Sequence, residues 1–283
     1  MRSLVILGST VMGLSACAAR PPIVLPAAAT APTAEARAVW DAATAACRTA
    51  DTYSAELVID GRAGAEKLRR VTLQGAMTRD GRIRLLAVAP VGAPIFVLAG
   101  RAERATLTLP RQQRVLVAPV ADIIDALIGL RFAPSDWVDV LSGCVAAAPT
   151  ASGGPAGADL VMNIGEGRRA LLRQDGTRWR VVAGERPEAL IEYQMYAGTW
   201  PSLARITSGA TAALPIDVRV AIAQIFVNTA LDDRAFVADV PPGFTPMTLA
   251  ELRAIGPLGE AAAGAEAPAD TSPAGRSFSS GIP

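Results

Sequence analysis

Histidine is absent from the 283-residue sequence, and this absence excludes several kinds of chemistry. Ser-His-Asp and Cys-His catalysis both require an imidazole, and most zinc sites use one as a ligand. Only three cysteines are present, and they lie too far apart in the sequence to form a typical metal-binding motif. The sequence therefore predicts neither a metal site nor a cofactor.

Lysine is nearly absent too, since Lys67 is the only one. A serine–lysine hydrolase would need Lys67, but that residue lies in the charged run 66–70, which is typical of a solvated surface. Carboxylate pairs could cut glycosidic bonds. The candidates, Asp136 with Asp139 and Asp232-Asp233, lie at a helix start and at a turn, where acidic residues commonly act as caps. We predict that the protein is not an enzyme.

Neither sign of charge dominates the chain, which carries a formal net charge of +1. A nucleic-acid partner is therefore not predicted, because such proteins present a basic surface. No apolar run reaches the roughly 20 residues that a transmembrane helix requires.

The first residues have the order of a bacterial export signal. A positive charge and an apolar run precede Leu14-Ser15-Ala16-Cys17. Secretory signals have this order, and a cysteine at this place matches the lipobox pattern. We predict a signal peptide over residues 1–16 and a lipid on Cys17; an ordinary signal peptide with a chance cysteine is the alternative. Ala18 is not aspartate, which under the enterobacterial sorting rule indicates the periplasmic face of the outer membrane.

Both ends of the mature chain are poor in large apolar residues. Residues 17–33 contain four prolines and many alanines, which is typical of an extended tether. Residues 259–283 are mostly small or polar and predict a disordered tail. The folded domain, with a C-terminal extension, is therefore predicted over residues 34–258.

Apolar and polar residues alternate through most of this domain, for example over residues 54–60, 71–74 and 82–85. This period predicts antiparallel strands joined by hairpins such as Asp80-Gly81. Between residues 121 and 141 the period becomes that of two short helices, and residues 149–157 indicate a loop. The pattern predicts a mainly β, α+β fold, a curved sheet with helices across one opening.

Two cysteines remain once Cys17 carries lipid. An even pair in an oxidising compartment favours a disulfide between Cys47 and Cys144. Two separate buried thiols are the alternative.

Residues 86–98 form two strand-like segments around the turn Pro90-Val91-Gly92-Ala93-Pro94. Hairpin tips usually face water, so an apolar tip indicates contact with a membrane or a partner. A turn that buries Val91 is the alternative.

Several motifs, taken in order, resemble the outer-membrane lipoprotein receptor LolB. Residues 84–92 are similar to the strands that flank the family's Asn-Pro-Leu-Gly turn. Residues 121–130 and the helix around Trp137 follow in the same order, and residues 175–182 are similar to its Gly-Lys-x-Trp-x-Val strand. The likeness covers roughly residues 39–228.

This resemblance implies an unclosed antiparallel β-barrel of about 11 strands with a helical lid, the LolA/LolB fold, around an apolar cavity for lipoprotein acyl chains. Pro90, Val91 and Gly92 would form the membrane-contact loop, with Val91 in place of the family's larger leucine. The chain also continues past the family's end, through Phe236 to Leu258. The residues expected to line the cavity and its lid are Leu57, Ile59, Leu85, Phe96, Leu98, Ile124, Leu127 and Trp137.

The leading hypothesis is a monomeric lipoprotein, held at the outer membrane by its N-terminal lipid. It would take acyl chains from a LolA-like periplasmic carrier and help insert lipoproteins into that membrane. The alternative is a non-catalytic envelope scaffold with the same fold and a filled core; a carrier for another amphiphile is a third possibility. A connected apolar void favours carriage, and a close-packed interior favours the scaffold.

Overall fold

The computed structural model of the chain describes residues 21–27, 32–88, 93–146, 151–212 and 214–259. The predicted signal peptide, Cys17, the loop residues Pro90, Val91 and Gly92, and residues 260–283 lie outside these ranges. Within the described ranges, no helix has both the length and the apolar character needed to cross a bilayer.

A single curved sheet of 14 strands dominates the fold. Neighbouring strands are antiparallel, except that β14 runs parallel to β6. Along the sheet the order is β14-β6-β5-β4-β3-β2-β1-β13-β12-β11-β10-β9-β8-β7. The strands are β1 (Thr52–Ala63), β2 (Glu66–Thr78), β3 (Arg82–Val88), β4 (Phe96–Arg101), β5 (Arg104–Leu109), β6 (Arg114–Ala118), β7 (Ser152–Ala156), β8 (Asp159–Asn163), β9 (Arg169–Asp175), β10 (Arg178–Glu185), β11 (Ala189–Ala197), β12 (Trp200–Ser208), β13 (Ile216–Val227) and β14 (Thr245–Pro246).

The prediction of a mainly β, unclosed curved sheet is confirmed, but the count of about 11 strands is too low. Strand β7 lies in the segment that was expected to be a loop, because Gly153-Gly154-Pro155 shows no apolar alternation. The segment nevertheless pairs with β8, from Ser152 opposite Asn163 onward. Proline is tolerated there because β7 is an edge strand.

Alternation and turn chemistry explain the remaining strands. In β1, Ala55, Leu57 and Ile59 are buried while their neighbours are partly exposed, so one face of the strand packs inward. The hairpin turn predicted at Asp80-Gly81 is present, and Asp175-Gly176 forms a second turn of the same kind. Their glycines have φ values of 92° and 61°, which favour a residue without a side chain.

Three helices lie against the interior of the sheet: α1 (Ala34–Arg48), α2 (Val120–Ile128) and α3 (Pro134–Ser142). Helix α1 begins where the Thr33 hydroxyl accepts a 3.1 Å hydrogen bond from the Ala36 amide. Its buried face includes Trp40 and Cys47. Cys47 forms a disulfide with Cys144, with their Cα atoms 5.6 Å apart, so α1 is joined to the chain just after α3.

The N-terminal segment 21–27, which is part of the predicted Ala/Pro-rich tether 17–33, is docked on the domain. Leu25 is buried in a small apolar cluster on the outer face of β8, β9 and β10. The Ile23 amide donates a 3.1 Å hydrogen bond to the Glu192 carboxylate. The composition of the segment suggested an extended chain but did not reveal that Leu25 has a pocket to fill.

The chain after β13 forms a strap, which we define as residues 233–259. It begins with a short 3₁₀ helix (Asp233–Phe236) beside β3 and β4, pairs with β6 through β14, and continues as helix α4 (Leu249–Ile255). It ends where Gly259 bridges to Leu68 of β2. The folded domain therefore reaches one residue beyond the predicted boundary at 258.

Candidate functional site

The interior between the sheet and helices α2 and α3 forms the candidate site. Helix α2 places an apolar face inward because Ile123, Ile124 and Leu127 recur at helical spacing. It follows Pro119 and ends at Gly129, whose φ of 75° closes the helix.

Helix α3 starts with Pro134 at its first position, a residue well suited to that place. The Asp136 carboxylate accepts a 2.9 Å hydrogen bond from the Ala133 amide and so caps the helix start. Trp137 and Leu141 then face the interior, and Phe132 meets the Trp137 ring edge-on at 5.0 Å.

A small cavity of about 50 Å³ remains between these helices and the sheet. All of its lining side chains are hydrophobic. They come from both lid helices, from strands β1 to β4, β12 and β13, and from the end of the strap. The lining residues are Leu57, Ile59, Leu73, Met77, Leu85, Phe96, Ile124, Leu127, Ile128, Leu130, Trp137, Leu141, Ile206, Val218, Val220 and Leu258.

Seven of the eight residues that the sequence suggested as cavity lining border this space. The exception is Leu98, which is fully buried on β4 but does not reach the cavity. Leu98 pairs with Leu85 on one side and Leu107 on the other, so neighbouring leucines enclose it within the sheet.

The size of the cavity limits what it can hold as it stands. An apolar cavity of about 150 Å³ holds benzene, so 50 Å³ is too small for an acyl chain. The helices therefore close the interior almost completely in this structure.

Helix α3 is fixed by buried polar contacts. The hydroxyl groups of Tyr193 and Tyr53 donate to the carbonyl oxygens of Val140 and Leu141, at 2.9 and 3.3 Å. Burial raises the pKa of both tyrosines, so these groups remain donors across the ordinary pH range. The disulfide at Cys144 adds a covalent link just beyond the helix.

Two arginines hold the carboxylates of α3. Arg186, only 2% exposed, pairs with Asp136 at 2.6 Å and donates to the Val145 carbonyl at 2.9 Å. Arg79 pairs with Asp139 at 2.8 Å. The two aspartates therefore serve the architecture, and in the described part of the chain no cluster of metal-ligating side chains occurs.

Helix α2 is held differently, by apolar packing and by the strap. Asp125 on its outer side pairs with Arg253 of α4 at 2.7 Å. The pair is half-exposed on the arginine side, and such pairs contribute little, about 0–1 kcal/mol. The lid therefore has one helix, α3, that buried polar contacts fix, and one helix, α2, that apolar packing and the strap hold.

The strap also closes the cavity directly. Leu258, 2% exposed, is one of the lining residues, and its carbonyl accepts a 2.9 Å hydrogen bond from the Arg69 amide of β2. On α4, Leu252 is fully buried. Glu251 caps α4 and pairs with Arg114 of β6 at 2.7 Å.

The indole N–H of Trp137 has no hydrogen-bond partner among the described residues, although the atom is buried. Buried N–H groups are nearly always paired. Only carbon atoms of Trp137 border the cavity, so the unpaired N–H points into the surrounding protein and not into the cavity.

A second, open groove of about 620 Å³ lies between α1 and β10. Small residues of α1 form one wall, and Trp179 and Tyr196 form the other. The Arg180 guanidinium lies 4.7 Å from the Tyr196 ring centroid, and the Tyr196 hydroxyl donates to the Val181 carbonyl at 2.5 Å. The sequence alone did not predict this groove, because its two walls come from segments that are far apart in the chain.

Comparison with known proteins gives distant structural likenesses. No protein-family model and no curated protein matches the chain. A LolA superfamily protein from Nitrosomonas europaea matches with a TM-score of 0.46 and 11% identity, over 72% of this chain and 97% of that protein. A DUF1329 family protein from Desulfovibrio piger matches with 0.43 and 12%, over 72% and 98%. A domain from Vibrio parahaemolyticus, provisionally assigned to outer membrane lipoprotein sorting, matches with 0.37 and 13%, over 71% and 97%.

These likenesses are too distant to assign a function or a family. The case for a function therefore rests on the cavity, the lid and the strap of this chain.

Proposed function

We propose that the protein is a carrier that binds acyl chains in its apolar interior, with α2 as the movable part of the lid. The observation that supports this is a hydrophobic cavity roofed by two short helices instead of a second sheet. Helix α2 makes no disulfide and carries only an exposed ion pair to α4, so we expect it to be able to move away without unfolding the sheet.

The described structure then corresponds to the closed, unloaded state. Each acyl methylene that leaves water contributes about 0.8 kcal/mol, so a chain of about a dozen contributes roughly 10 kcal/mol. Opening α2 breaks an ion pair with α4 worth about 0–1 kcal/mol and separates its apolar contacts. Acyl burial is large enough to replace those contacts.

The cargo proposed here is the lipid of a lipoprotein, received from a LolA-like periplasmic carrier and passed to the outer membrane. The motifs that resemble LolB support this cargo. The Cys47–Cys144 disulfide also fits an exported protein, because disulfides persist in oxidising compartments.

The anchoring proposal rests on the lipobox sequence around Cys17. We expect intact-mass measurement of the mature protein to find an acylated N-terminal cysteine, and cell fractionation to find the protein in outer membranes. An unmodified Cys17 would contradict the anchor while leaving the carrier proposal open.

A scaffold of the envelope is the second candidate, and the small cavity favours it. If α2 never moves, the 50 Å³ cavity is only a packing defect in a filled core. The two candidates differ in whether an acyl chain enters.

Tryptophan quenching separates them. We would titrate the chain begun at Ala18, which retains every described residue, with a triacylated lipopeptide whose acyl chains carry bromine. Bromine quenches tryptophan at contact distance, so we expect saturable quenching in the wild type. Trp137→Phe should lose most of that signal, because Trp137 lines the cavity.

Trp200→Phe is the matched control, since Trp200 lies at the start of β12 and does not border the cavity. It should keep the quenching signal. If the wild type shows no saturable quenching, the carrier proposal fails and the scaffold is favoured. If Trp137→Phe keeps the quenching signal, the chains bind somewhere other than the cavity.

A further inference from the structure

A basic depression of about 300 Å³ lies on the sheet where β2, β3 and the β5–β6 turn meet. Three of its seven lining residues are the arginines Arg69, Arg70 and Arg111, and none is acidic. Val88 and Ile95, on the two sides of the β3–β4 hairpin, contribute apolar surface. The depression therefore combines positive charge with an apolar wall.

A β-bulge creates this concentration of charge. Ile59 pairs with Val71 and Gly61 pairs with Leu68, so β2 has one more residue than β1 over this stretch. The extra residue places two consecutive arginines, Arg69 and Arg70, between the buried Leu68 and Val71. Regular alternation would have turned one of the two arginines toward the core.

One of these arginines has an unused donor. The Arg69 guanidinium donates to the Pro257 carbonyl at 3.0 Å, but its Nε–H is buried and has no partner within the described chain. Arg111 holds the other side of the depression, where its Nε–H donates to the Ala93 carbonyl at 3.3 Å. An anion in the depression would face the exposed Arg70 and lie beside the Arg69 guanidinium.

We propose that this depression binds the phosphate groups of anionic phospholipids and holds the protein against a membrane surface. Arginine forks suit phosphate oxygens, and the apolar wall at Val88 and Ile95 suits the glycerol and upper acyl region beside a headgroup. The proposal rests on the proposed delivery of cargo to a membrane and names the lipid that this face contacts.

Chain connectivity supports the choice of a membrane. The apolar sequence Ala89-Pro90-Val91-Gly92 joins Val88, which lines the depression, to Ala93, which Arg111 contacts. Five peptide steps span at most about 18 Å. The segment predicted to touch the bilayer is thus attached at the rim of the basic depression.

Vesicle binding tests the proposal without any cargo. The chain begun at Ala18 would be sedimented with vesicles of phosphatidylcholine alone and with vesicles containing 30% phosphatidylglycerol. The whole chain has a formal charge of only +1, so a strong preference must come from a local surface. Each arginine near an anionic surface contributes a factor of about five. We expect at least tenfold tighter binding to the anionic vesicles, weakening with added salt.

Charge reversal locates the surface. Arg70→Glu with Arg111→Glu should reduce binding of anionic vesicles to the phosphatidylcholine level. Arg104→Glu with Arg178→Glu changes the net charge equally, but these exposed arginines lie at the starts of β5 and β10, outside the depression. This double variant should stay within about twofold of wild type. Circular dichroism melting checks that each protein folds. If Arg111→Glu impairs folding, Arg70→Glu alone should weaken binding at least threefold.

Three outcomes would overturn the proposal: equal binding to both vesicle types, equal loss in the two double variants, or release of the wild type by millimolar inorganic phosphate at constant ionic strength. The last outcome would indicate a site for free phosphate. The lipopeptide quenching assay contains no vesicles, so a failure there removes the carrier and leaves this result standing.

Discussion

Arg186 illustrates how single residues position the lid. Its guanidinium contacts Asp136 and Glu188, donates to the Val145 carbonyl, and lies 4.9 Å from the Phe132 ring centroid. Burying a charge requires such a complete set of partners. One side chain therefore connects the β10–β11 turn, the start of α3 and the residue after the disulfide.

We expect Arg186→Ala to lower the free energy of unfolding by about 3–5 kcal/mol, because Asp136 would remain as a partly buried charge without its partner. Urea unfolding measures this change. Arg178→Ala, an exposed arginine at the start of β10, is the control and should change stability by less than about 0.5 kcal/mol. A loss below 1 kcal/mol for Arg186→Ala would mean that water replaces the guanidinium.

The residues at the site were only partly predictable. Ile124, Leu127 and Trp137 could be predicted because helical spacing marks an inward face. Arg186 could not, because the sequence Glu185-Arg186-Pro187-Glu188 has the composition of a solvated turn. Its burial depends on α3, which packs over it from a distant part of the chain.

At the scale of elements, the strap determines how freely α2 can move. Alternating strands and the two lid helices were predictable from period alone. The docking of α4 was not, because the spacing of Leu249, Leu252 and Ile255 indicates an apolar helical face but not the surface that this face covers. The bulge at Arg69 and Arg70 could not be predicted either, because a bulge depends on how two strands pair and not on the sequence of one strand.

Reversing the charge at Arg253 should release α2. Arg253→Glu places two acidic groups together at Asp125, so we expect lipopeptide association to become several-fold faster in stopped-flow quenching, with a stability loss of at most about 1 kcal/mol. Arg131→Glu is the control. It breaks the ion pair between Arg131 and Asp122 of α2, which does not involve the strap. Equally faster lipopeptide association in both variants would show that the strap does not hold α2 in place.

Acid should weaken the start of α4 in a defined pH range. Hydrogen bonds from Arg114 and from Thr248 lower the pKa of Glu251 from 4.5 to about 2. The contribution of the folded-state carboxylate is therefore complete above pH 4.5 and is lost as the pH falls toward 2. Glu251→Gln should be less stable than wild type at pH 7, and the difference should vanish near pH 2.

Urea midpoints across this range provide the measurement. Glu103→Gln, in the exposed turn between β4 and β5, controls for the loss of one negative charge. A stability difference for Glu251→Gln that persists unchanged at pH 2 would show that the carboxylate charge is not responsible.

At the scale of the molecule, the disulfide joins helix α1 to the chain just after α3. Cys47 and Cys144 are separated by 97 positions in the sequence, and the segment between them contains β1 to β6 and helices α2 and α3. A cross-link over a loop of this length stabilises a protein by about 4–5 kcal/mol in the chain-entropy model. It fixes α1 relative to the end of α3, and α2 lies within the loop that it closes.

Replacing both cysteines by alanine should therefore lower the free energy of unfolding by about 4 kcal/mol, as measured in urea without reductant. Adding reductant to the wild type should produce a similar loss and should leave the double variant unchanged. Wild-type stability that is indifferent to reductant would show that the bond does not form in solution.

The position of β13 sets an order for assembly. It pairs with β1 in the middle of the sheet, with Tyr53 opposite Val227, although most of the chain separates the two strands. Until β13 is in place, β1 and β12 each have an edge without a partner strand. Each of the two belongs to a series of hairpins that can form separately. Long-range pairing of this kind is slow, and unpaired edges invite aggregation. A chain with this topology would thus remain vulnerable until nearly its whole length, up to β13, was available for pairing.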